Sequence, residues 1–378
     1  METFYRDTWI EINLDAIYEN IQNTKKQLQP NTKLMVVVKA NAYGHGMLEV
    51  AKIAQELEAD YLVVAILDEA IYLRECGVTM PILVLGAVRI ADLRVVIEQN
   101  ITVTAFRLDW IQAAVKTSLP VKVHLKLDTG MGRLGLRTND ELLWLNEHLK
   151  DTNLDFEGVY THFATADELE SPYFDMQLAR FKEMLSLLEI KPKIIHSSNS
   201  AATVLQPTAH FHAVRTGITI YGLTPSKEMA HKFPYELKRA FSLKTKLVHT
   251  KLLSKGQKVG YGATYEAGED EWIGTLPIGY ADGWIRKLQG QEVLINGQRC
   301  PIVGRICMDQ CMVKLPYNMP IGTEVVLIGT QVDQQITVEE IADQLDTINY
   351  EVVCMMGSRL PRIYKRNGKV ISIKNEVL

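Results

Sequence analysis

Between Lys33 and Gly222 short β-branched segments alternate with segments of helical periodicity, and this alternation restricts the fold more than any other feature. The eight β-type segments are KLMVVVKA (33–40), YLVVAI (61–66), ILVLG (82–86), ITVTA (101–105), VKVHLKL (121–127), FEGVYTH (156–162), KIIHSS (193–198) and HAVRTGI (212–218). Helical spacing of apolar residues is found at 47–58, 68–76, 140–150 and 175–188. Such alternation is typical of parallel strands joined by crossover helices. Eight units predict a (β/α)8 barrel, with a doubly wound open sheet as the alternative.

After about Pro234 the pattern changes to short strands separated by Gly, Pro and Asn turns. Asn296-Gly297 and Asn367-Gly368 are typical hairpin turns. One helix is predicted in this part, from Thr337 to Leu345, with Thr337 and Glu340 forming a capping box. We therefore predict two domains, a barrel at 1–234 and a mainly β domain at 235–378, within a chain of 378 residues.

The charge pattern points to a small-molecule partner. The chain has 41 basic and 45 acidic residues and no long block of either sign, which argues against a nucleic-acid or membrane-surface protein. The N-terminal segment contains Arg6, Asp7, Glu11 and Asp15 where a signal peptide needs an apolar run, so we expect a cytoplasmic protein. Five irregularly spaced cysteines favour buried free thiols over a disulfide framework or a zinc site, and no metal is predicted.

Lys39 lies at the end of the first predicted strand. In a barrel the reacting groups lie at the C-terminal ends of the strands. Burial after three valines would lower the pKa of the Lys39 amine, which favours Schiff-base formation with a carbonyl group. The alternative is a lysine that extends into solvent. The glycines of the following segment, Ala42 to Gly46, can bring backbone close to a ligand.

The segment LDTGMGRLG has the glycine spacing of a dinucleotide-binding loop, with Gly130, Gly132 and Gly135. We reject that interpretation because the segment follows the fifth strand, not the first, and contains Arg133. Lys126, Asp128 and Arg133 instead form a charged set at a strand end, where the arginine could bind a phenolate or a carboxylate. A glycine-rich turn with a solvated arginine is the alternative.

Further polar residues follow the last three predicted barrel strands. His162 ends the sixth strand, and His196 through Ser200 end the seventh. Ser200 at a helix start, with Gly217 and Ile218 after the eighth strand, suits a phosphate group. Arg215 lies inside the last strand, where burial of an unpaired guanidinium would be costly, so we expect it to have a fixed partner.

The β domain has a tyrosine between two glycines, Tyr261, and a similar segment around Tyr280. Crowded backbone at a site and ordinary turn packing explain either segment about equally well. Polar groups at 306–310 and 348–351 could add to a site. The sequence alone does not bring these residues to the barrel.

Taken together, nine segments resemble bacterial alanine racemases of fold type III over nearly the whole chain, from Trp9 to Arg362. They are VVVKANAYGHG, LDTGMGRLG, THFATAD, HSSNSAA, VRTGITIYG, VGYGATY, PIGYADG, GRICMDQ and INYEV, in this order. The resemblance implies a barrel that binds pyridoxal phosphate, a C-terminal β domain and a head-to-tail homodimer with shared active sites. The implied reaction interconverts L-alanine and D-alanine, which supplies D-alanine for peptidoglycan.

The resemblance also implies roles for single residues. Lys39 corresponds to the lysine that holds the cofactor covalently and acts as the base for the D-enantiomer. Tyr261, from the partner subunit, corresponds to the base for the L-enantiomer. Racemisation needs two such groups on opposite faces of a planar carbanion. Arg215 corresponds to the partner of the pyridine nitrogen, which it leaves unprotonated, and His162 links it towards the tyrosine.

The other implied roles concern cofactor, substrate and access. Phosphate contacts correspond to Tyr43, Ser200, Gly217, Ile218 and Tyr350, with Asn199 next to them in the cofactor site. Arg133 corresponds to a residue that contacts the phenolic oxygen of the cofactor and the substrate carboxylate. Met308 corresponds to a residue whose backbone contacts the substrate carboxylate, and Lys126 to a lysine that is often carbamylated. In the access corridor, Tyr280 and Tyr350 correspond to the inner gate, and Asp167, Arg286 and Asp309 correspond to the lining.

Several positions depart from the family pattern, namely Ser198, Thr216 and 355–358, and they raise the question of substrate tolerance. One alternative is a racemase of broader specificity, acting on serine or other amino acids. A decarboxylase of related fold is disfavoured because such enzymes use an acidic partner for the pyridine nitrogen. A non-catalytic cofactor carrier would not need Tyr261.

Overall fold

The structure is a computed structural model that describes residues 4–150 and 152–377. Residues 1–3, 151 and 378, which the predicted domains include, lie outside the described residues. Contacts divide the chain into two compact units. The barrel unit comprises Ala16–Ala42 and Met47–Lys238, and the sheet unit comprises the segment up to Asp15, Tyr43–Gly46 and the chain from Arg239 onward. The predicted domain bounds of 1–234 and 235–378 stay a prediction.

The barrel unit is built on a closed barrel of parallel strands. In order around the barrel they are Lys33–Val37, Tyr61–Val64, Ile82–Val84, Thr102–Ala105, Lys122–Lys126, Asp155–Tyr160, Ile194–His196 and Ala213–Thr216. The first strand also pairs with the last, with Lys33 opposite Ala213, which closes the ring. Every predicted β-type segment overlaps one of these strands, so the (β/α)8 prediction is confirmed and the open sheet is excluded.

Helices precede and connect the barrel strands, and some of them begin at local sequence signals. The α-helices are Leu14–Gln27, Met47–Glu56, Leu67–Glu75, Leu93–Glu98, Leu108–Lys116, Asn139–His148, Pro172–Leu187 and Ser200–Leu205, with 3-10 turns at Ile90–Asp92, Pro207–Ala209 and Ile218–Tyr221. Thr138 and Glu141 form a capping box at the start of Asn139–His148. Ser171 caps Pro172–Leu187, which has proline at its first position. The four predicted helices are confirmed to within three residues.

The sheet unit is mainly β, as predicted. Its large sheet contains Thr8–Asn13, Phe241–Lys246, His249–Leu253, Glu271–Leu276, Glu292–Ile295, Gln298–Val303, Cys311–Leu315, Glu324–Gln331, Gln334–Ile336, Arg362–Arg366 and Lys369–Lys374. Lys258–Val259 and Tyr265–Glu266 form a separate pair. The strand Thr8–Asn13 lies between Phe241–Lys246, to which it is antiparallel, and Arg362–Arg366, to which it is parallel. Both predicted hairpin turns are confirmed, because Asn296-Gly297 and Asn367-Gly368 have positive φ and join paired strands.

Two predictions for the sheet unit need correction. Its described residues form two α-helices, Val338–Leu345 and Asn349–Cys354, where one was predicted. Thr337 does cap the first, but the Glu340 carboxylate accepts hydrogen bonds from Arg299 and Gln291, so only half of the capping box forms. The charge of Arg299 offers a stronger hydrogen bond than the backbone N–H of Thr337.

The five cysteines are all free thiols, but only Cys300 and Cys311 are buried, and Cys76 and Cys354 are exposed. The prediction of buried thiols is therefore right for two of them. Within 4–150 and 152–377 no helix is long and apolar enough to cross a membrane.

Candidate active site

The backbone directly after Lys39 makes a left-handed helical turn. Lys39 follows the strand Lys33–Val37 and is half-buried. Ala40, Asn41, Ala42 and Tyr43 all have φ between 51° and 54°, a conformation that costs an L-residue roughly 1–2 kcal/mol. Strain of this kind is concentrated at functional sites.

Two side chains of the barrel unit hold this turn in place. The Glu69 carboxylate accepts a hydrogen bond from the Ala40 backbone N–H at 2.6 Å and from that of Ala65 at 2.8 Å. Asn41 Oδ1 accepts one from the Met47 N–H at 2.8 Å, at the start of the next helix. The turn is thus fastened on both sides, which fixes where Lys39 leaves the strand.

Arg215 is buried, with 4% exposure, and its guanidinium has several acceptors. Nη1 donates to His196 Nδ1 at 2.6 Å, and Nη2 donates to the backbone oxygens of Thr161 and Ser197 at 2.8 and 3.0 Å. His162 Nδ1 lies 3.4 Å from Nη2. Burial lowers the pKa of Arg215 from its ordinary value to about 10, so Arg215 is still charged at neutral pH. Its Nε–H has no acceptor within the described residues, so this donor stays available.

Lys126 is almost fully buried, and no carboxylate lies within ion-pair distance of it among the described residues. Its Nζ lies 5.5 Å from the centre of the Tyr160 ring, and Arg215 Cζ lies 5.1 Å from the same centre. Burial, reinforced by the positive charges of Arg133 and Arg215, lowers the pKa of Lys126 to about 8. An appreciable fraction of this amine is therefore neutral near physiological pH.

The glycine-rich loop after Lys122–Lys126 closes around Asp128. The Asp128 carboxylate accepts hydrogen bonds from the N–H groups of Gly130 and Gly132 at 3.1 and 2.9 Å, and Arg137 lies 3.5 Å from it. Gly135 has φ of 132°, and a Cβ there would lie 2.5 Å from the Asp128 nitrogen. Asp128 organises the loop and Arg133 is exposed, while Lys126 is close enough to feel the charges of both.

A group of backbone donors lies where a phosphate site was predicted. Asn199 Oδ1 caps the helix Ser200–Leu205 by accepting from Ala202 N–H at 3.0 Å, and Ser200 Oγ accepts from Gly217 N–H at 2.9 Å. The latter bond joins the helix start to the turn Ile218–Tyr221. Within the described chain the N–H groups of Ser200, Ala201, Ile218 and Thr219 have no hydrogen-bond acceptor, so this region can bind an anion.

Asp167 is the remaining predicted site residue of the barrel unit. It lies in the loop that follows Asp155–Tyr160, is half-buried, and its backbone oxygen accepts a hydrogen bond from Ser226 Oγ at 3.2 Å.

In the sheet unit, Tyr261 projects from a turn that requires glycine on both sides. Gly260 and Gly262 have φ of 74° and 73°, and a Cβ on Gly262 would lie 2.9 Å from Arg305 Nη1. The Tyr261 side chain is 72% exposed, and its hydroxyl makes no hydrogen bond to any described residue. A large aromatic residue held rigidly in solvent is suited to contact another molecule.

Tyr280 and Met308 belong to two turns that are bonded to each other. Tyr280 N–H donates to Cys307 O, and Ala281 N–H donates to Met308 O, both at 3.0 Å. A Cβ at Gly279 would lie 2.3 Å from Cys307 O, so the backbone approach depends on this glycine. The predicted gate residue and the predicted carboxylate-binding backbone are thus brought together.

An ion-pair cluster that sequence reasoning missed holds these turns. The buried Asp282 carboxylate accepts hydrogen bonds from Arg6 Nη1 at 2.8 and 2.9 Å and lies 3.6 Å from Arg359 Nε. Arg359 also donates to Asp309 at 2.8 Å. Arg286, the remaining predicted corridor residue, is exposed at the start of its own turn and takes no part in this cluster.

Tyr43 and Tyr350 contact each other, with ring centres 6.0 Å apart. Burial raises the pKa of Tyr43, so its hydroxyl stays protonated and can act as a donor. Arg362, which sequence reasoning did not select, donates to Gly44 O at 2.8 Å.

Sequence reasoning also missed the polar interior of the barrel. His124, Glu157, Tyr61 and Tyr160 lie on barrel strands and form hydrogen bonds or ring contacts there. One signal was present, since His124 and Lys126 alternate with apolar residues along their strand, which places both on the same face.

Comparisons with known proteins agree with this architecture. The family model described as alanine racemase, N-terminal domain, matches residues 12–225, and that for the C-terminal domain matches 240–364. Alanine racemase of Geobacillus kaustophilus is 52% identical over 382 residues, covering 100% of this chain and 99% of the relative.

Solved structures agree as well. A crystal structure of alanine racemase from Bacillus anthracis with bound L-Ala-P has a TM-score of 0.96 at 48% identity, covering 100% of this chain and 99% of that one. A histidine racemase from Leuconostoc mesenteroides has a TM-score of 0.89 at 34% identity, covering 97% and 100%. Both family models and relatives of about half identity span the whole architecture, and we conclude that this chain belongs to the alanine racemase family.

Proposed function

We propose that this chain is a pyridoxal phosphate-dependent racemase that interconverts L-alanine and D-alanine. The observation that carries the proposal is Arg215, a buried guanidinium with an uncommitted Nε–H on a barrel strand of an alanine racemase family member. D-alanine made in this way would be available for peptidoglycan. A cytoplasmic location is supported by the free cysteines, which suit a reducing compartment.

The chemistry of the donor set fits pyridoxal phosphate. The phosphate would be held by the backbone N–H groups of Ser200 and Ile218 and by the hydroxyls of Tyr43 and Tyr350. Gly217 and Asn199 lie directly beside these N–H groups and complete this part of the cofactor site. Arg133 would hold the phenolic oxygen, and Arg215 would donate to the ring nitrogen through Nε. Because Arg215 keeps its proton, with a pKa of about 10, the ring nitrogen would remain an acceptor.

When bound, the cofactor would withdraw electrons from the substrate α-carbon and so acidify its proton. Lys39 would hold the cofactor covalently before substrate binds, and its amine, released when the substrate amine replaces it, would exchange a proton with one face of that carbon. Tyr261 would exchange a proton with the opposite face, which the inversion requires. His162 and Arg215 would together orient Tyr261. The low pKa of His162, caused by burial and by the Arg215 charge, keeps its ring neutral.

The proposed assembly is a homodimer in which a second copy of the chain supplies Tyr261. Its support is the exposure of this tyrosine, because proton transfer from the hydroxyl of a residue that is 72% exposed would otherwise take place in bulk water. The corridor residues Tyr280, Asp167, Arg286 and Asp309 would then restrict access to the site. The backbone of Met308 and the side chain of Arg133 would bind the substrate carboxylate.

Alanine is the proposed substrate, and a racemase of broader specificity is the alternative. The similar structure of a histidine racemase means that the fold alone does not select the side chain. We expect L-alanine to be racemised at least about tenfold faster, in kcat/KM, than L-serine, L-lysine or L-histidine. Chiral chromatography of each reaction decides, and equal turnover of all four, or release of CO2, would overturn the assignment.

Borohydride reduction of the holoenzyme should attach the cofactor to Lys39 alone. The half-buried amine at the strand end is the proposed covalent position. Peptide mapping by mass spectrometry locates the label, and Lys39→Arg, which keeps the charge, is the matched control that should remain unlabelled. A label on any other lysine of the wild-type protein would contradict the proposed role of Lys39.

Lys126 should be carbamylated, and the modification should depend on pH. A neutral amine adds to CO2 and releases one proton, giving a carbamate anion. Since burial lowers the pKa of Lys126 to about 8, the neutral fraction rises as pH increases through 8 and is small below about pH 6. With 13C-bicarbonate, carbon NMR should show a carbamate signal at pH 8 that is lost at pH 6. Lys126→Gln, the control, should lack the signal at either pH.

A further inference from the structure

A line of hydrogen-bonded side chains runs through the barrel interior from Arg215 to Glu157. Arg215 Nη1 lies 2.6 Å from His196 Nδ1, His196 Nε2 lies 2.8 Å from His124 Nδ1, and His124 Nε2 lies 3.3 Å from Glu157 Oε2. The four residues come from four barrel strands. Both histidines are fully buried, and the Glu157 side chain is 14% exposed.

Only one arrangement of protons satisfies this line when both imidazoles are neutral. A guanidinium only donates, so His196 Nδ1 must accept, and the single ring proton of His196 must lie on Nε2. That proton is donated to His124 Nδ1, which places the proton of His124 on Nε2. His124 then donates to the Glu157 carboxylate, which only accepts. The chemistry of the two ends therefore fixes the tautomer of each ring between them.

The charges of the line agree with this arrangement. Burial lowers the pKa of His196 well below its usual value, helped by Arg215, and burial also lowers the pKa of His124. Burial alone would raise the pKa of Glu157, but hydrogen bonds from His124 and Tyr61 outweigh it and bring the pKa to about 2. Arg215 and Glu157, at the two ends of the line, are thus charged, and the two histidines between them are neutral.

The surroundings restrict rotation of the rings. The Tyr160 ring stacks on His196 with centres 4.7 Å apart and planes 9° apart. Glu157 Oε2 also accepts from Tyr61 at 2.7 Å and from Thr102 at 3.3 Å, so it is held from three sides. A ring flip of either histidine would break two hydrogen bonds in a buried environment, where an unpaired polar atom is costly.

We propose that Glu157 and His124 are positioning residues that act on Arg215 through His196. By fixing the proton of His196 on Nε2, they keep its Nδ1 as an acceptor and so hold the guanidinium with its Nε–H left over for the cofactor ring. The opposite tautomer would place two N–H groups 2.6 Å apart, and Arg215 would have to move. The role towards the cofactor rests on the proposed function, whereas the tautomers are a property of the chain itself.

The first test is 15N NMR of the protein labelled at histidine, as holoenzyme and after removal of the cofactor. We expect both His124 and His196 to carry their proton on Nε2 in both forms. Single substitutions of each histidine assign the signals. A proton on Nδ1 of either neutral ring, or a cationic ring at pH 7, would overturn the proposal whether or not the protein racemises alanine.

The second test compares variants of matched shape. Glu157→Gln keeps the size of the side chain but can turn an NH2 group towards His124, which permits the reverse tautomer. His124→Gln can accept from His196 and donate to Glu157 and so keeps the proton direction, whereas His124→Leu interrupts it. We expect Glu157→Gln and His124→Leu to lower kcat about tenfold with little change in KM. His124→Gln should stay within about twofold of wild type.

Each variant is also measured by NMR and by visible absorption of the bound cofactor. In Glu157→Gln a second tautomer of His196 should appear and the absorption maximum should shift. Thr102→Val, which removes a hydrogen bond to Glu157 outside the line, is the control and should change neither. If Glu157→Gln keeps the His196 proton on Nε2 and keeps the wild-type kcat, the proposal is wrong. If His124→Leu fails to fold, Glu157→Gln decides alone.

Discussion

Replacing Tyr261 by phenylalanine should lower alanine racemisation about a thousandfold in both directions while the cofactor remains bound. The change removes one oxygen atom, and general acid–base groups typically contribute 10²–10⁴-fold to a rate. The Tyr261 hydroxyl makes no hydrogen bond to any described residue and the side chain is 72% exposed, so the fold should be unaffected. Chiral chromatography measures both directions, and visible absorption measures the bound cofactor.

An isotope experiment separates the two proton-transfer groups. In deuterium oxide, Tyr261→Phe should still exchange the α-hydrogen of D-alanine, because Lys39 is the proposed base for that enantiomer. Exchange into L-alanine should be lost. Tyr317→Phe, at another exposed tyrosine of the sheet unit, is the matched control and should behave as wild type. Racemisation by Tyr261→Phe at more than a tenth of the wild-type rate would rule out the two-base assignment.

The barrel could be predicted from the sequence because its strands are buried on both faces. A continuous apolar run such as that at 34–38 is typical of a strand in the middle of a parallel sheet. Helix starts were predictable for a similar reason, since Ser171 and Thr138 supply local caps. Information of this kind lies within a few residues along the chain.

The contacts that organise the candidate site depend on register and could not be predicted. Nothing near His124 in the sequence indicates that it meets His196, 72 residues away, because the pairing follows from the stagger of the barrel strands. The left-handed turn is similar, since alanine and tyrosine have no preference for positive φ. It is imposed by hydrogen bonds from outside, such as that to Glu69.

Replacing Gly44 by alanine should destabilise the protein by about 3 kcal/mol or more. Gly44 directly follows the left-handed turn and has φ of +81°. A Cβ there would lie 2.2 Å from the Val353 backbone oxygen, and a backbone atom cannot rotate away as a side chain can. Arg362 donates to the Gly44 oxygen at 2.8 Å, so any movement of Gly44 also disturbs a buried guanidinium. Overpacking alone typically costs 1–3 kcal/mol.

Gly256→Ala is the control that separates collision from backbone strain. Gly256 belongs to the same unit and has φ of +82°, but nothing lies within 4 Å of its Cβ position. Gly256→Ala should lower the free energy of unfolding only by the conformational cost of a positive φ, roughly 1 kcal/mol. Chemical unfolding of both variants, saturated with cofactor, gives their free energies of unfolding. The difference between the two losses in stability is the cost of the clash with Val353. If the two variants unfold at the same denaturant concentration, Gly44 is required for its φ alone and the close backbone approach has no energetic role. A large difference would instead mean that the close approach of Gly44 to the Val353 backbone excludes any side chain at this position.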